Sequence, residues 1–183
     1  QKLHGMLINA SNSLSETIEH LNEVVQAKTG ALEQMQAINL FHTFEKIEKS
    51  IRGLITEQNA VSKIKIDKSH FVEVVPAYLE SILLNLYTNA LKYRAPDRDP
   101  IIEISSVLDN DYVIIKFKDN GHGIDLKRHK DKIFGMYKTF HRNKDAKGIG
   151  LFITKNQIES MDGTISVEST VDKGTTFYVK LKK

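Results

Sequence analysis

The first apolar positions of the chain follow a helical period. Between residues 3 and 25 they recur at steps of three and four, at Leu3, Leu7, Ala10, Leu14, Ile18, Leu21 and Val24. This heptad-like pattern predicts one long amphipathic helix. Its apolar face is too large for an isolated helix in water, so we expect a partner helix from a second copy of the chain or from sequence upstream.

From residue 34 to the end, segments with the helical period and segments with the strand period follow one another. The predicted elements are a strand over 36–40, a helix over 41–60, a strand over 62–67, a helix from near Phe71 to the run 95–100, a hairpin over 101–121, a helix over 148–161 that Gly163 stops, and a hairpin over 164–182. The fold class is therefore α/β, a two-layer sandwich in which helices cover one face of a mixed β-sheet. We place the domain boundary so that the leading helix takes residues 1–33 and the sandwich takes residues 34–183.

Composition narrows the class of protein. The chain has 183 residues, of which 40% are hydrophobic and 27% are charged, as in ordinary globular proteins. No apolar run reaches the roughly 18–20 residues of a membrane span. The absence of cysteine excludes disulfides, thiolate metal sites and thiol catalysis. These features favour a cytoplasmic location, and because the first residue is Gln1 we expect the chain to be part of a longer protein.

Charge is distributed unevenly. The net charge is only +3, but residues 127–147 contain eight basic and two acidic side chains in a stretch with little regular pattern. Two interpretations remain open for this stretch, a solvated surface loop and a loop that binds an anion.

The helix that contains "NLYTNALKYR" (85–94) combines an apolar stripe with polar groups. Asn85 and Asn89 lie four residues apart, followed by Lys92 and Tyr93, and all four fall within one quadrant of the helix. Buried amides need hydrogen-bond partners. They either cap neighbouring backbone groups or line a binding site.

Three glycine clusters stand at the ends of predicted strands or helices: "DNGHGID" (119–125), "KGIGLF" (147–152) and "DKGTTF" (172–177). Taken singly, each is as consistent with an ordinary turn as with a ligand site. No G-x-x-x-x-G-K-[ST] sequence occurs, which excludes a Walker-type nucleotide site.

The order of these motifs resembles the GHKL family of ATP-binding domains, above all the catalytic domain of sensor histidine kinases. "NLYTNALKYR" matches the N box, "DNGHGID" the G1 box, "KIFGMYKTFH" the F box, "KGIGLF" the G2 box and "KGTTF" the last glycine motif. The resemblance covers the chain from about residue 34 to its end. The leading segment resembles the second helix of the dimerisation and phosphotransfer domain that precedes such a catalytic domain.

At the adenine end, the resemblance assigns to Asp119 the recognition of the adenine ring. Its carboxylate accepts a hydrogen bond from the adenine amino group, which guanine cannot offer because it has a carbonyl there. Gly121 and Gly123 let the backbone turn beside the base, and Ile124 belongs to the same nucleotide-binding set.

At the phosphate end, the resemblance assigns Asn85 to Mg²⁺, with the phosphates and water completing the coordination. Asn89 and Lys92 contact phosphate oxygens, and Tyr93 packs beside the nucleotide. The polar quadrant of the helix would then obtain its partners from the ligand.

The basic stretch corresponds to the ATP lid of the family. Phe134 ties one end of this lid to the domain. Lys138 and Arg142 are the cations expected to contact the γ-phosphate. Lys147, at the end of the lid, is a further predicted nucleotide-binding residue.

The lid leads into a helix whose first N–H groups meet phosphate, because Gly148 and Gly150 leave them accessible. Ile149, Leu151 and Thr176 complete the predicted nucleotide-binding residues. The last glycine motif supports the pocket floor through Gly174, Thr175 and Thr176.

Gyrase-like, mismatch-repair and chaperone members of the superfamily hydrolyse ATP with a glutamate four residues before the N-box asparagine. Here that position is Asn85, which cannot act as a base. The chemistry left is γ-phosphoryl transfer to a histidine. None of the seven histidines lies in the acidic, Arg-Pro context of an acceptor site, so we expect the acceptor upstream of this chain.

The resemblance also implies partners, which are ATP, the acceptor helix of the protein's own homodimer and the receiver domain of a response regulator, with no nucleic acid. Two alternatives remain. A non-catalytic nucleotide-sensing module would lose Asn85 or Asn89, and an anti-sigma-type serine kinase would need an acidic base in the N box. Both asparagines are present and no acid is, so the histidine kinase is preferred.

Overall fold

The computed structural model describes residues 34–129, 132–135 and 148–183. The leading helix predicted over 3–25 and the lid residues Lys138, Arg142 and Lys147 lie outside these ranges. The elements, in chain order, are β1 (Gln36–Asn39), α1 (Leu40–Ser50), α2 (Arg52–Glu57), β2 (Val61–Lys65), β3 (Phe71–Val74), α3 (Pro76–Lys92), β4 (Ile101–Asp109), β5 (Tyr112–Asp119), α4 (Leu126–His129), α5 (Gly150–Ser160), β6 (Thr164–Thr170) and β7 (Gly174–Lys182).

The main sheet has five strands in the order β2-β4-β5-β7-β6. The pair β2–β4 is parallel and the other three pairs are antiparallel, which confirms the mixed sheet. The hairpin β4–β5 turns at Asn110, which has a positive φ of 54° as such a turn requires. Its register brings Asp119, the last residue of β5, opposite Ile102.

The second, smaller sheet corrects the sequence-based prediction. We expected a helix from near Phe71, but Phe71–Val74 is a strand that pairs antiparallel with β1. Its residues alternate between exposed and buried, with Val72 and Val74 fully buried, which is the period of a strand. The helix α3 begins only at Pro76, whose fixed φ and missing N–H suit the first helical position.

Helices α1, α3 and α5 pack on one face of the main sheet, as predicted. The core joins apolar side chains from both layers, among them Leu79 and Ile82 from α3 and Ile104 and Ile115 from the sheet. At its centre the Tyr87 ring meets the Phe117 ring edge-on at 5.0 Å between centroids. This packing fixes α3, and with it the two asparagines, against the strand that ends in Asp119.

The opposite face of the main sheet is open and carries charged pairs. Glu103 lies between Lys63 and Lys118, and Lys180 is 2.7 Å from Asp109. Such exposed pairs contribute little to stability, on the order of 0–1 kcal/mol each. Within the described ranges, no helix combines the length and the apolar character that crossing a bilayer requires.

Candidate functional site

Asn85 links the two helices that border the site. Its Nδ2 donates to Thr154 Oγ1 on α5 at 2.7 Å, and its Oδ1 accepts from Asn89 Nδ2 at 3.2 Å. Thr154 is buried, whereas both asparagines are half-buried. The two amides are therefore arranged by contacts inside the protein, and they still reach the surface.

Gly150, the first residue of α5, lies directly against Asn85. A side chain there would collide with Asn85 Oδ1. No described side chain caps this helix, so its first N–H groups are left for other acceptors. The positive end of a helix favours an oxygen over an amino group, and this explains why Asn85 turns Oδ1 towards Gly150 and Nδ2 towards Thr154.

Asp119 lies at the other end of the site. Its Oδ1 accepts hydrogen bonds from the backbone N–H groups of Gly121 at 2.8 Å and Thr175 at 3.2 Å. Among the described residues no donor to Oδ2 is found, and the side chain is half-buried. Burial nonetheless raises the pKa of this carboxyl, and the two backbone N–H groups lower it again in part. The result is a fixed carboxylate with one oxygen free to accept a further hydrogen bond.

The raised pKa of Asp119 implies a cost to the fold that asparagine would avoid. In Asp119→Asn the amide oxygen can keep both backbone hydrogen bonds, so we expect a higher Tm for the nucleotide-free variant near neutral pH. A raised folded-state pKa means that the penalty is present above that pKa and fades as pH falls through it, towards the ordinary value of 3.8. Scanning calorimetry from about pH 8 to about pH 4 checks this. A lower Tm for the variant throughout would contradict it.

The loop after Asp119 is fastened to the end of α3. His122 N donates to Tyr93 O at 3.0 Å, and a side chain at Gly121 would collide with that same carbonyl. Gly121 therefore allows the loop to approach Tyr93 O closely. It is not needed for an unusual backbone conformation, because a positive φ is found at Gly123 and not at Gly121. This contact holds Asp119 and the asparagines of α3 at a fixed separation.

Gly123 has a φ of 66°, and a side chain there would collide with the carbonyl of Thr170. The next residue, Ile124, donates its N–H to Ser169 Oγ at 2.7 Å. Ser169 also donates to Gly174 O at 2.8 Å. The loop is thus hydrogen-bonded to the β6–β7 hairpin, and the hairpin in turn donates a backbone N–H to Asp119.

Thr175 and Thr176 are both predicted at the pocket floor, with Thr176 as the nucleotide-binding residue, but only Thr175 lies next to Asp119. Thr175 is buried and its N–H reaches Asp119, whereas Thr176 pairs with Lys118 and Glu168 in the sheet. Because successive side chains of a strand point to opposite faces, Thr176 lies on the open face, away from Asp119. The two threonines are adjacent in the sequence, and only the register of β7 distinguishes them.

Other predicted residues lie around these two ends. Phe134 and Leu151 pack against the core, and Lys155 Nζ lies 6.0 Å from the centroid of the Phe134 ring. Lys92 Nζ lies 5.9 Å from the centroid of the Tyr93 ring, and burial raises the pKa of Tyr93. Gly148 has a positive φ of 69° and precedes the buried Ile149.

Two residues were missed from the sequence. Arg98 donates to the carbonyls of Asn120, Gly121 and Asp172 at 2.8, 3.1 and 2.7 Å. Asn120 binds the loop before β4 through Ile101 N and Asp99 O. The only signal for Arg98 was the charged run "APDRDP", which is typical of an exposed loop, whereas Asn120 lies inside the motif "DNGHGID" but was given no role of its own.

The donors fit a magnesium ion brought in by a nucleotide. In the part of the chain that the structure describes, no cluster of three or more histidine, aspartate or glutamate side chains could hold a metal ion. Mg²⁺ is commonly held by one or two protein oxygens together with phosphate oxygens and water. Oδ1 of the half-buried Asn85 suits that role, whereas a metal held by protein groups alone would need more ligands.

Residues 74–183 match the family model described as histidine kinase-, DNA gyrase B- and HSP90-like ATPase. This range contains both asparagines, Asp119 and all three glycine clusters. The chain belongs to this ATPase family. ATP binding by the domain follows from that membership, and the resemblance stated from the motifs is confirmed.

Curated relatives of this ATPase-family chain are histidine protein kinases. SaeS of Staphylococcus epidermidis (strain RP62A) is 30% identical over 185 residues, which cover 98% of this chain and 52% of that protein. SaeS of Staphylococcus aureus (strain bovine RF122) is 27% identical over 190 residues, with the same coverages. The chain thus spans about half the length of these relatives.

Solved structures confirm the fold of this family member. The Acinetobacter baumannii histidine kinase AdeS aligns with a TM-score of 0.73 at 21% identity, covering all of this chain and 84% of that one. Full-length ShkA in complex with AMPPNP gives a TM-score of 0.76 at 16% identity, covering 94% of this chain and 36% of that one. The α/β sandwich is therefore the fold of histidine kinase catalytic domains.

Proposed function

We propose that this chain is the ATP-binding catalytic part of a sensor histidine kinase in a two-component system. It binds Mg·ATP and transfers the γ-phosphoryl group to a histidine that lies upstream of these residues. A response-regulator aspartate then takes the phosphoryl group. The relatives named histidine protein kinases, which match 98% of this chain, support the proposal.

The observation that carries the proposal is the position and fixation of Asn85. An ATPase of this superfamily needs an acidic base four residues before Asn89, and this chain has an amide there, held by Thr154 and Asn89. The nearest acid on the helix, Glu80, is bonded to Lys46 at 2.6 Å on the far side. Without a base to activate water, the nucleophile must be supplied from outside the site.

At the adenine end, Asp119 Oδ2 accepts a hydrogen bond from the amino group of adenine. At the phosphate end, Asn85 Oδ1 holds Mg²⁺, and Asn89, Lys92 and the first N–H groups of α5 bind phosphate oxygens. When bound, the cation neutralises charge on the β- and γ-phosphates. Lys138 and Arg142 stay predictions as γ-phosphate contacts, because they lie outside the described residues.

In the transfer, the bond between the γ-phosphorus and the bridging oxygen of ADP breaks as a bond to an imidazole nitrogen forms. The attacking nitrogen uses its lone pair, so the acceptor histidine must be neutral, and the proton on its other nitrogen is released to solvent. The fold contributes orientation and charge stabilisation and forms no covalent bond of its own.

The proposal includes the wider arrangement of the protein. Residues 1–33, which lie outside the described ranges, are proposed to correspond to the second helix of the dimerisation and phosphotransfer domain, and residues 34–183 to the catalytic domain. The acceptor helix comes from the same homodimer, and the segment works in the cytoplasm. The heptad-like pattern over residues 3–25 supports the dimer.

Label transfer from γ-labelled ATP tests the proposal. The protein with its natural upstream helix should acquire label that is released by acid and stable to base, as expected for phosphohistidine, and His→Gln at the acceptor should remove it. The 183-residue chain alone should bind ATP without acquiring label. Label that survives acid, or steady release of free phosphate by the chain alone, would contradict the proposal.

A further inference from the structure

Arg98 has three backbone carbonyls as partners, and they come from two different loops. Its Nε donates to Asn120 O at 2.8 Å, and its Nη2 donates to Gly121 O at 3.1 Å and to Asp172 O at 2.7 Å. Nη1 faces the Asp97 carboxylate at 3.3 Å. With 32% of its side chain exposed, Arg98 is held between the loop after β5 and the β6–β7 turn.

The first of these carbonyls belongs to the peptide that orients Asp119. The C=O of Asn120 and the N–H of Gly121 are opposite ends of one planar peptide unit. Arg98 holds the oxygen end, while the nitrogen end donates to Asp119 Oδ1 at 2.8 Å. A charged donor on the carbonyl polarises the peptide and strengthens the hydrogen bond made by its N–H.

The second carbonyl belongs to the next peptide along the chain. Arg98 holds Gly121 O, and the N–H of the same unit, His122 N, donates to Tyr93 O at the end of α3 at 3.0 Å. Through these two peptides, one guanidinium fixes both the Asp119 carboxylate and the attachment of its loop to the asparagine helix.

From this geometry we infer that Arg98 is the positioning residue for adenine selectivity. By fixing the Asn120–Gly121 peptide, it keeps Asp119 Oδ1 occupied and leaves Oδ2 directed at the amino group of the base. Arg98 itself does not touch the nucleotide. This inference rests on the proposed function, since it assigns the base to Asp119.

Two diphosphates that differ at one group test the inference. ADP carries the amino group that Asp119 recognises, whereas inosine diphosphate has a carbonyl there. Arg98→Ala should weaken ADP binding about 10-fold and change inosine diphosphate binding less than about 2-fold, because one charge-assisted hydrogen bond is degraded and the phosphate contacts are kept. Arg98→Lys, which offers fewer directed donors, should fall between Arg98→Ala and the original chain.

Arg94→Ala is the matched control. The substitution removes the same charge near the same loop. Arg94 is exposed, and among the described residues it donates only to Leu91 O at 3.3 Å. Titration calorimetry gives the affinities, and scanning calorimetry gives Tm for every variant. The control should keep the ratio of ADP to inosine diphosphate affinity.

The outcomes separate this inference from the proposed function. An unchanged affinity ratio in Arg98→Ala and Arg98→Lys, with selectivity intact in the original chain, overturns the role of Arg98 alone. An equal loss for both diphosphates that follows the fall in Tm also overturns it, because Arg98 would then only stabilise the fold. If the original chain binds neither diphosphate, the proposed function fails first.

Discussion

Asp119→Asn is expected to weaken ATP binding by about 100-fold or more. The variant replaces the free acceptor, Oδ2, with an amide N–H₂ group that faces the adenine amino group, so two donors oppose each other. A hydrogen bond to a charged group contributes about 1.5–3 kcal/mol, and each 1.4 kcal/mol is about tenfold in affinity. Guanine offers a carbonyl to the same amide, so the preference for ATP over GTP should also shrink.

Titration calorimetry with ATP and GTP measures both effects. Asp109→Asn is the control, because it removes the same charge on the open face, where Asp109 pairs with Lys180. The control should bind ATP as the original chain does. If Asp119→Asn kept full affinity and selectivity, the base would not be recognised by this carboxylate.

Asn85→Ala is expected to abolish the contribution of Mg²⁺ to nucleotide affinity. The original chain should bind ADP or ATP about 10-fold or more tightly with Mg²⁺ than without it, and the variant should show nearly the same affinity in both conditions. In the protein with its acceptor helix, transfer should fall by about 1,000-fold, because a charge-stabilising contact to the phosphates is lost.

Two measurements separate the cation from the fold in this variant. Binding in the presence of a chelator reports the contacts that do not depend on the cation, and these should survive since Asp119 and the direct phosphate contacts are unchanged. Asn156→Ala is the control, because within the described ranges the Asn156 amide donates only to Phe152 O on its own helix. A variant Asn85→Ala that retained the full gain from Mg²⁺ would show that the cation is held elsewhere.

The sequence indicated α3 as a candidate binding helix because its polar quadrant conflicted with an otherwise apolar segment. Asn85 and Asn89 are spaced for one helix face, and the structure places Asn85 beside Gly150 and Thr154 and bonds Asn89 to Asn85. A local period and a local composition were enough for this prediction. The glycine clusters then followed in an order that chance does not explain.

The wrong predictions were those that depended on contacts distant in sequence. Phe71–Val74 looked like the first turn of the helix, and only its pairing with β1 makes it a strand. Thr175 and Thr176 could not be separated without the register of β7 on β5. Arg98 was missed because its partners are backbone carbonyls up to 74 residues away, which no side-chain pattern reveals.

The site also shows a balance between stability and function. Asp119 lies in a place where burial disfavours its charged form, and the N–H groups of Gly121 and Thr175 offset only part of that effect. Asn85 and Asn89 keep polar groups on a helix whose neighbouring side chains, Leu86 and Ala90, are buried. A ligand that supplies an amino group at one end and a cation at the other would satisfy both.

A crystal structure of the chain with Mg²⁺ and a non-hydrolysable ATP analogue tests the account most directly. We predict that the adenine amino group lies within hydrogen-bond distance of the Asp119 carboxylate and that the cation is bound to Asn85 Oδ1. A nucleotide whose base faces away from Asp119, or a cation with no contact to Asn85, would contradict the account.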